Sequence, residues 1–414
     1  MLLAFKGRAH RDQSALGISK ALYRKGIEMT VLEKINAYKE ELIAIRRDIH
    51  QHPEIGFEEV RTAGIVAAKL AGWGIEVHTE IGKTGVVGVL KGTKGSGRSI
   101  GLRADMDALP MEEQTNLAYS SSIPGRFHGC GHDGHTTMLL GAARYLAENR
   151  GFAGTAVFIF QPAEEGLGGA RAMIEDGLFE RFPCDEIYFV HNAPADEPYK
   201  IGIKPGPAMA GSDRFDMYIH GCGGHGAKPE ACKDPIIVAT ALVQALQSIV
   251  SRNIQPLKAA VLSVTQIHSG TAYNVIPQEA RISGTIRYLD REVQKIVHER
   301  MRTIAAGLAA SFDVTIDVDI RNLTDVLVNT DALVEGFAQA ARDIVGAENV
   351  YLKEQPGMAS EDFAEMLHLR PGVYGTIGHG GNIPVHNPGF VLDEGVLPVG
   401  ASLLARIVER RLSA

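Results

Sequence analysis

The sequence predicts an α/β fold, in which a mostly parallel sheet is covered by helices and carries a second, smaller unit as an insertion. Over the first half of the chain, apolar runs of strand length alternate with helical patterns. Such alternation is typical of parallel sheets with helices on both faces. Between residues 212 and 320 the order changes to βαββαβ. That order indicates a ferredoxin-like unit, which can be inserted whole into another domain.

The elements of the first half follow from the periodicity of their apolar residues. Residues 33–53 form one amphipathic helical pattern closed by Pro53, and residues 62–74 form a second that ends at glycine. Apolar runs of strand length follow at 85–90, 99–104, 155–160 and 186–191. Between the later runs lie helical stretches at 135–149 and 168–178.

The strands and helices of the inserted unit are predicted from the same periodicity of apolar residues. Its strands are expected at 215–221, 259–267, 280–289 and 314–320, and its helices at 234–250 and 292–312. We therefore expect four segments, which are an N-terminal extension (1–28), a catalytic domain in two parts (29–211 and 321–414) and the inserted lid and dimerisation domain (212–320).

Composition restricts the class of protein. A net charge of −7, without a Lys/Arg cluster in the body of the chain, argues against a nucleic-acid partner, because phosphate binding needs a basic face. Four cysteines in 414 residues do not form a disulfide framework, which favours a reducing compartment. No run approaches the ~18 uncharged apolar residues of a membrane span. We expect a cytoplasmic protein without a membrane partner.

The first 28 residues differ from the rest, since basic side chains outnumber acidic ones there. We interpret this segment as a disordered extension, or as an upstream start before a natural first residue at Met29. A targeting peptide stays open as the alternative, because basic leaders poor in acidic residues serve that purpose.

Two short motifs carry most of the chemistry. HGCGHDGH at 128–135 and QPAEE at 161–165 supply a thiol, imidazoles and adjacent carboxylates. This donor mixture suits a soft-to-borderline transition metal better than calcium or magnesium. Adjacent carboxylates can divide two roles, with one binding metal and the other handling a proton. The motifs therefore predict metal-dependent hydrolysis.

Simpler readings of these residues exist. A lone cysteine is usually a small buried apolar residue, and adjacent glutamates are usually a solvated surface. Cys130 is also a candidate nucleophile with a histidine partner. The flanking glycines and His132, two residues further on, favour metal coordination instead.

The position of the polar residues supports a site. Asp105 and Asp107 follow one predicted strand, Glu164 and Glu165 follow another, and His191 closes a third. The carboxyl ends of strands are where open α/β sheets bind ligands. A late candidate ligand, in the HGGNIPVHNPGF segment, is His386.

Eight motifs in order carry a resemblance to a known family: HGCGHDGH, FQPAEE, VHN, GCGGHGAKP, GTAYNVIP, GTIR, GMASEDF and VHNPGF. From about residue 35 onward the chain resembles the dinuclear metallo-amidohydrolases, which include hippurate hydrolase, bacterial N-acyl-amino-acid hydrolases and plant auxin-conjugate hydrolases. These belong to the aminoacylase and carboxypeptidase-G type metallopeptidases. The resemblance implies a zinc-peptidase-like catalytic domain with an inserted lid.

The resemblance also implies a set of metal ligands. Cys130 would bridge two divalent ions as a thiolate. His132 and His191 would complete the site of one ion, and Glu165 and His386 the site of the other. Manganese, zinc, cobalt and nickel are all compatible with these donors.

Further roles follow from the same resemblance. Glu164 would be the general acid/base and His225 would stabilise the oxyanion. Asn274 and Arg287 would bind the α-carboxylate of the substrate, although an exposed strand cation is the simpler reading of Arg287. We expect Asp105 to support the metal ligands from outside the coordination sphere.

The function implied is a metal-dependent amidase that cleaves N-acyl amino acids to a carboxylic acid and an amino acid, working as a homodimer joined through the inserted domain. Glu230 departs from many relatives, which have a second histidine after the proline, and this affects the expected acyl preference. A dipeptidase or aminopeptidase is one alternative, but no acidic anchor for a free α-amine is evident. The other is a non-catalytic acyl-amino-acid binding protein, which would have no need of Glu164.

Overall fold

A computed structural model describes residues 29–413, and its helices, strands and contacts are those of that part of the chain. The N-terminal segment 1–28, for which we expected an extension, lies outside the described residues. Two sheets organise the structure, one with eight strands and one with four.

The large sheet contains the strands of the first half of the chain and three from its later part. Its members are β1 (Glu76–Ile81), β2 (Gly85–Lys91), β3 (Ser99–Asp105), β4 (Thr155–Gln161), β5 (Glu186–Ala193), β6 (Ile201–Ile203), β15 (Val350–Leu352) and β16 (Gly372–Gly378). They lie in the order β1-β2-β4-β3-β5-β16-β6-β15. The four central strands, β4, β3, β5 and β16, run parallel, so their carboxyl ends meet at one edge.

Helices cover both faces of this sheet. They are α1 (Val31–Asn36), α2 (Lys39–Gln51), α3 (Val60–Gly72), α4 (His132–Glu148), α5 (Gly169–Glu175), α6 (Leu178–Arg181), α9 (Asp331–Val345), α10 (Phe363–Leu369) and α11 (Val396–Arg411). Alternate residues of β4 enter two cores, because successive strand side chains point to opposite faces. Phe158 and Phe160 pack with α4 and α11, whereas Val157 and Ile159 pack with α5, α6 and α10.

The single helix predicted over 33–53 is wrong, because the chain forms α1 and α2 with a turn between them at residues 37 and 38. At this turn the ring of Tyr38 lies 4.1 Å from the guanidinium of Arg144 on α4. No proline or glycine marks the break, so local sequence carried no signal for it.

The second sheet is antiparallel and contains β8 (Gly211–His220), β10 (Ala260–Ser269), β12 (Glu279–Tyr288) and β13 (Thr315–Thr324), in the order β10-β12-β8-β13. Two helices, α7 (Pro235–Ser248) and α8 (Arg291–Phe312), pack on one face, where Phe215, Met217 and Ile219 of β8 are buried. The element order is βαββαβ, and the predicted fold class is confirmed.

Short strand pairs complete the structure. β9 (Gly224–His225) pairs with β11 (Val275–Ile276), and β7 (Gly206–Met209) pairs with β14 (Leu327–Asn329). Brief 3₁₀ turns occur at Pro229–Ala231 and Ala347–Asn349, and a π-helical turn, Ile249–Asn253, extends α7.

The helical stretch Pro235–Asn253 is long and apolar enough to cross a membrane, with a mean hydropathy of 1.3 over its most apolar part. One such helix is weak evidence for a membrane span. Its inner face, which includes Val238, Leu242 and Leu246, packs against the second sheet.

Candidate active site

The carboxyl edge of the large sheet brings together side chains from segments distant in sequence. Asp105 is the last residue of β3 and lies opposite Gln161, the last residue of β4. Glu164 and Glu165 follow in the next turn. His191 lies near the end of β5 and is paired with Thr376 of the parallel strand β16. The topology thus gathers these residues at one edge.

A glycine is required where α4 begins. Gly131 has a φ of 96°, in the left-handed region that other residues avoid. A Cβ atom at this position would lie 2.4 Å from Oδ1 of Asn192. The sharp turn at Gly131 places Cys130 before the helix and His132 in its first turn, on the same side of the sheet edge.

Two groups of potential metal ligands share one sulfur atom. Cys130, His132 and His191 have ligand atoms within 4.8 Å of one another, and so do Cys130, Glu165 and His386. The structure therefore brings together all five residues expected to bind metal. Their arrangement would provide donors for two divalent cations, with Cys130 common to both groups.

Hydrogen bonds orient the two imidazoles of the first group. Nδ1 of His191 donates to the carbonyl of Asn192 at 2.6 Å, and its Nε2 lies 3.5 Å from the sulfur of Cys130. Nδ1 of His132 bonds to Asp107 at 3.1 Å. Nε2 of His132 is buried and has no hydrogen-bond partner among residues 29–413. A buried nitrogen in this position fits a metal ligand better than a structural histidine.

A side-chain contact and a backbone hydrogen bond position His386 in the second group. Nε2 of His386 lies 3.2 Å from Oε1 of Glu165, and the backbone N–H of His386 donates to the carbonyl of Gly129 at 2.8 Å. His386 has a φ of 63°, which is unusual for a residue with a side chain. Strained backbone of this kind is common at functional sites.

Asp107 is a site residue that the sequence did not single out for a role. Its Oδ1 bonds to His132, and its Oδ2 accepts the backbone N–H of Glu165 at 3.0 Å. Asp105, for which we predicted a supporting role, bonds to Nδ1 of His135 at 2.6 Å and lies 3.8 Å from Nε2 of His132. The only available signal was the ADMD pattern, with two carboxylates on the same strand end.

Glu164 lies in an acidic environment beside the ligand groups, and its carboxylate is within 4.8 Å of ligand atoms of His132 and Glu165. The backbone N–H of Asp362 donates to its Oε1 at 3.3 Å, and ligand atoms of Glu164, Glu361 and Asp362 lie within 4.8 Å of one another. Burial, followed by the charges of Glu361 and Glu165, raises the pKa of Glu164 well above its ordinary value. A carboxyl group with a raised pKa is suited to accept and return a proton near neutral pH.

A buried arginine balances this acidic group. The guanidinium of Arg103 lies 2.9 Å from Glu361, 3.0 Å from Asp362 and 2.8 Å from Asp105. Sequence reasoning missed Arg103 and Glu361, because a contact between residues so far apart in the chain leaves no local pattern.

A cleft of about 830 Å³ opens from this centre toward the second sheet. Its lining includes Arg287 and five of the expected site residues, Cys130, Glu164, Glu165, His191 and His386. Arg287 is therefore half-buried in a cleft and is not a free surface cation.

The remaining two candidates lie elsewhere. His225 pairs with Val275 in the short sheet of β9 and β11, and Asn274 immediately precedes β11. Both side chains are exposed, and neither residue is part of the cleft lining. Nδ1 of His225 accepts the N–H of Ala227 at 3.0 Å, which leaves Nε2 as the outward nitrogen. Within one chain, the structure does not bring these two residues to the candidate metal ligands.

A mostly parallel α/β sheet with thiol, imidazole and carboxylate donors at its carboxyl edge defines a metal-dependent hydrolase. The chain belongs to peptidase family M20/M25/M40, whose model matches residues 101–410. The family resemblance predicted from the eight motifs is confirmed.

Individual relatives agree with this family. The chain is 44% identical to a hippurate hydrolase of Campylobacter jejuni, over 93% of this chain and all of the relative. It is 39% identical to an N-acetylcysteine deacetylase of Bacillus subtilis, over 90% of this chain and 97% of the relative. A crystal structure of a dinuclear metal-binding M20 peptidase of Bacillus subtilis matches with a TM-score of 0.79 and 36% identity, over 91% of this chain and 99% of that one.

Proposed function

We propose that this protein is a cytoplasmic, metal-dependent amidohydrolase that cleaves the amide bond of N-acyl amino acids to release a carboxylic acid and a free amino acid. The observation that carries the proposal is the pair of ligand groups that share Cys130, with Glu164 beside them. The similarity to a hippurate hydrolase and an N-acetylcysteine deacetylase supports the substrate class.

Five residues would hold two divalent ions, with Cys130 between them, His132 and His191 on one side, and Glu165 and His386 on the other. Bound ions of this kind supply Lewis acidity, which lowers the pKa of water and polarises the amide carbonyl. The mixed sulfur, nitrogen and oxygen donors suit manganese, zinc, cobalt or nickel.

Glu164 is the proposed general acid/base. As water attacks the amide carbon, its carboxylate accepts the proton that water loses. The same carboxyl group then gives this proton to the nitrogen of the leaving amino acid, so that the C–N bond can break without forming an amide anion. The raised pKa of Glu164 favours the first step, in which its carboxylate accepts the proton from water. The N–H of Asp362 keeps the carboxyl oriented toward the cleft.

Substrate orientation is proposed to depend on Arg287, which lines the cleft. A guanidinium can bind a carboxylate through two parallel hydrogen bonds. Arg287 is thus suited to the α-carboxylate of the amino-acid half, which places the scissile amide between this residue and Glu164.

His225 and Asn274 are proposed to act across a homodimer, with His225 of the partner subunit stabilising the oxyanion. Residues 212–320 would form the lid and dimerisation domain, with hinges near 208–213 and 320–325. Two features support this arrangement. His225 is exposed outside the cleft of its own chain, and β10 is an edge strand with outward backbone groups, which can pair with another chain.

Exposed apolar side chains occur along the inserted unit from the end of β10 to β11. Tyr273 is fully exposed, and Ile267 and Val275 are each more than half exposed. Clusters of exposed apolar residues mark interaction surfaces. We therefore propose that this surface faces a second copy of the chain.

The test is a substrate panel of N-acetyl, N-benzoyl and N-indoleacetyl amino acids, with unblocked dipeptides as a comparison set. Enzyme treated with a chelator is assayed before and after addition of manganese, cobalt, zinc or nickel. We expect hydrolysis of N-acyl amino acids that depends on added metal. Preferential cleavage of dipeptides would favour a peptidase instead, and tight binding without turnover would favour a binding protein.

A further inference from the structure

Two arginines line the cleft from the same face of the second sheet. Arg287 on β12 lies opposite Ser212 on β8, and Arg214 lies opposite Thr285. Arg214 and Arg287 are therefore diagonal neighbours across the two strands, on the face away from α7 and α8. Residues in such diagonal positions have Cα atoms about 7 to 8 Å apart, so that long side chains can contact each other.

Neither guanidinium has a carboxylate partner among residues 29–413. Arg287 bonds to Oγ1 of Thr285 and to the carbonyl of Ile286. The acidic residues nearest to Arg214 in sequence bond to other groups. Asp213 is 2.6 Å from His298, and Asp216 pairs with Arg321.

The two positive charges affect each other. Burial lowers the pKa of Arg287 and the charge of Arg214 lowers it further, whereas the charge of Asp213 opposes this shift in part. Two like charges beside a half-buried cleft oppose folding, unless an anion lies between or beside them. Lys353, which also lines the cleft, differs because its ammonium lies 3.0 Å from Asp196 and is neutralised within the protein. Among the lysine and arginine side chains of the cleft lining, the two arginines are thus the ones without a carboxylate at ion-pair distance in residues 29–413.

Arg214 also reaches toward the metal ligands. A Cβ atom on Gly166 would lie 3.3 Å from Nη2 of Arg214, and Gly166 directly follows Glu165. Its guanidinium therefore lies beside the turn that carries Glu164 and Glu165, in the cleft where the amide would be cleaved.

We propose that Arg214 determines specificity by binding a second carboxylate of the substrate, so that the preferred substrates are N-acyl amino acids with two carboxylates. This inference rests on the proposed function. The second carboxylate can come from the side chain of aspartate or glutamate, or from a dicarboxylic acyl group such as succinyl. Because Arg214 is adjacent to Arg287, the amino-acid side chain is the expected source.

The test compares substrates that differ in one charge. The wild-type enzyme should have a kcat/KM for N-acetylglutamate at least about 10-fold above that for N-acetylglutamine, as expected for a charge-assisted hydrogen bond. Arg214→Gln should remove this preference, and Arg214→Lys should retain part of it. Arg321→Gln is the matched control, since Arg321 pairs with Arg214 across β8 and β13 but bonds to Asp216. It should keep the preference.

N-succinylleucine and N-acetylleucine distinguish the two sources of the second carboxylate. A preference for the succinyl compound that depends on Arg214 would assign the carboxylate to the acyl half. Calorimetry on the Glu164→Gln variant gives a measurement without turnover, in which N-acetylglutamate should bind more tightly than N-acetylglutamine.

Three results would overturn the inference. One is equal kcat/KM for the charged and neutral members of both pairs. Another is a preference that survives in Arg214→Gln. The third is an equal rise in KM for every substrate in that variant, which would mean that both arginines bind the α-carboxylate. Hydrolysis of N-acetylglutamine without any charge preference would leave the proposed function intact, whereas no hydrolysis of any N-acyl amino acid would contradict both.

Discussion

Oδ1 of Asp107 lies 3.1 Å from Nδ1 of His132, and the other carboxylate oxygen of Asp107 accepts the N–H of Glu165. One buried side chain therefore orients a residue from each of the two ligand groups. It also holds His132 in the tautomer that presents Nε2 to the centre. The positions of the two groups relative to each other depend on this carboxylate.

We expect Asp107→Ala to lower metal affinity by about 10 to 100-fold, because partners of ligand imidazoles contribute on that scale. Metal titration of the chelated protein would measure the change. Asp317→Ala, which removes an exposed aspartate of the second sheet, is the control. Unchanged affinity in Asp107→Ala would remove this residue from the description of the centre.

The buried carboxyl group of Glu59 should make the stability of the folded protein depend on pH. Its fully buried carboxylate accepts the N–H of Ala163 at 2.8 Å and the hydroxyl of Thr84 at 2.6 Å. Burial raises the pKa of Glu59 from 4.5 to about 7. The folded protein thus binds this proton more tightly than the unfolded chain. The stabilising contribution is present below pH 4.5 and is lost as the pH rises through 7.

Glu59→Gln keeps an acceptor for Ala163 but does not titrate. Between pH 5 and pH 8, the free energy of unfolding should fall less in the variant than in the wild type. The difference between the two decreases should be up to about 3 kcal/mol. Thermal unfolding at both pH values measures this, with Glu58→Gln, an exposed neighbour, as the control. Parallel pH profiles for Glu59→Gln and the wild type would be the contrary result.

His225 tests the shared site. His225→Ala should keep its metals but lose about 10² to 10³ in kcat, the usual loss for one oxyanion donor. Mixed with Glu164→Gln under conditions of subunit exchange, it should regain activity, because one site in the mixed dimer then has both residues. No recovery, with exchange shown by mass spectrometry, would place His225 in its own chain's site or in none.

The sequence predicted the parts of this structure that depend on local pattern. The buried strand β4 has a continuous apolar run and β3 is mostly apolar, so the polar residues at the ends of these strands had to lie at the sheet edge. The break between α1 and α2 had no local signal. The contact of Arg103 with Asp362 joins distant segments, and the position of His225 depends on how the inserted unit folds. These features come from tertiary structure, which periodicity does not encode.

The most direct test of the account compares Glu164→Gln with Glu165→Gln by turnover and by metal content per chain. The two residues are adjacent and the substitutions are chemically identical, so each variant controls for the other. We predict that Glu164→Gln abolishes hydrolysis of N-acyl amino acids with metal content near that of the wild type, whereas Glu165→Gln loses metal as well. Equal metal loss in both variants, or substantial turnover by Glu164→Gln, would contradict the proposed division between proton transfer and metal binding.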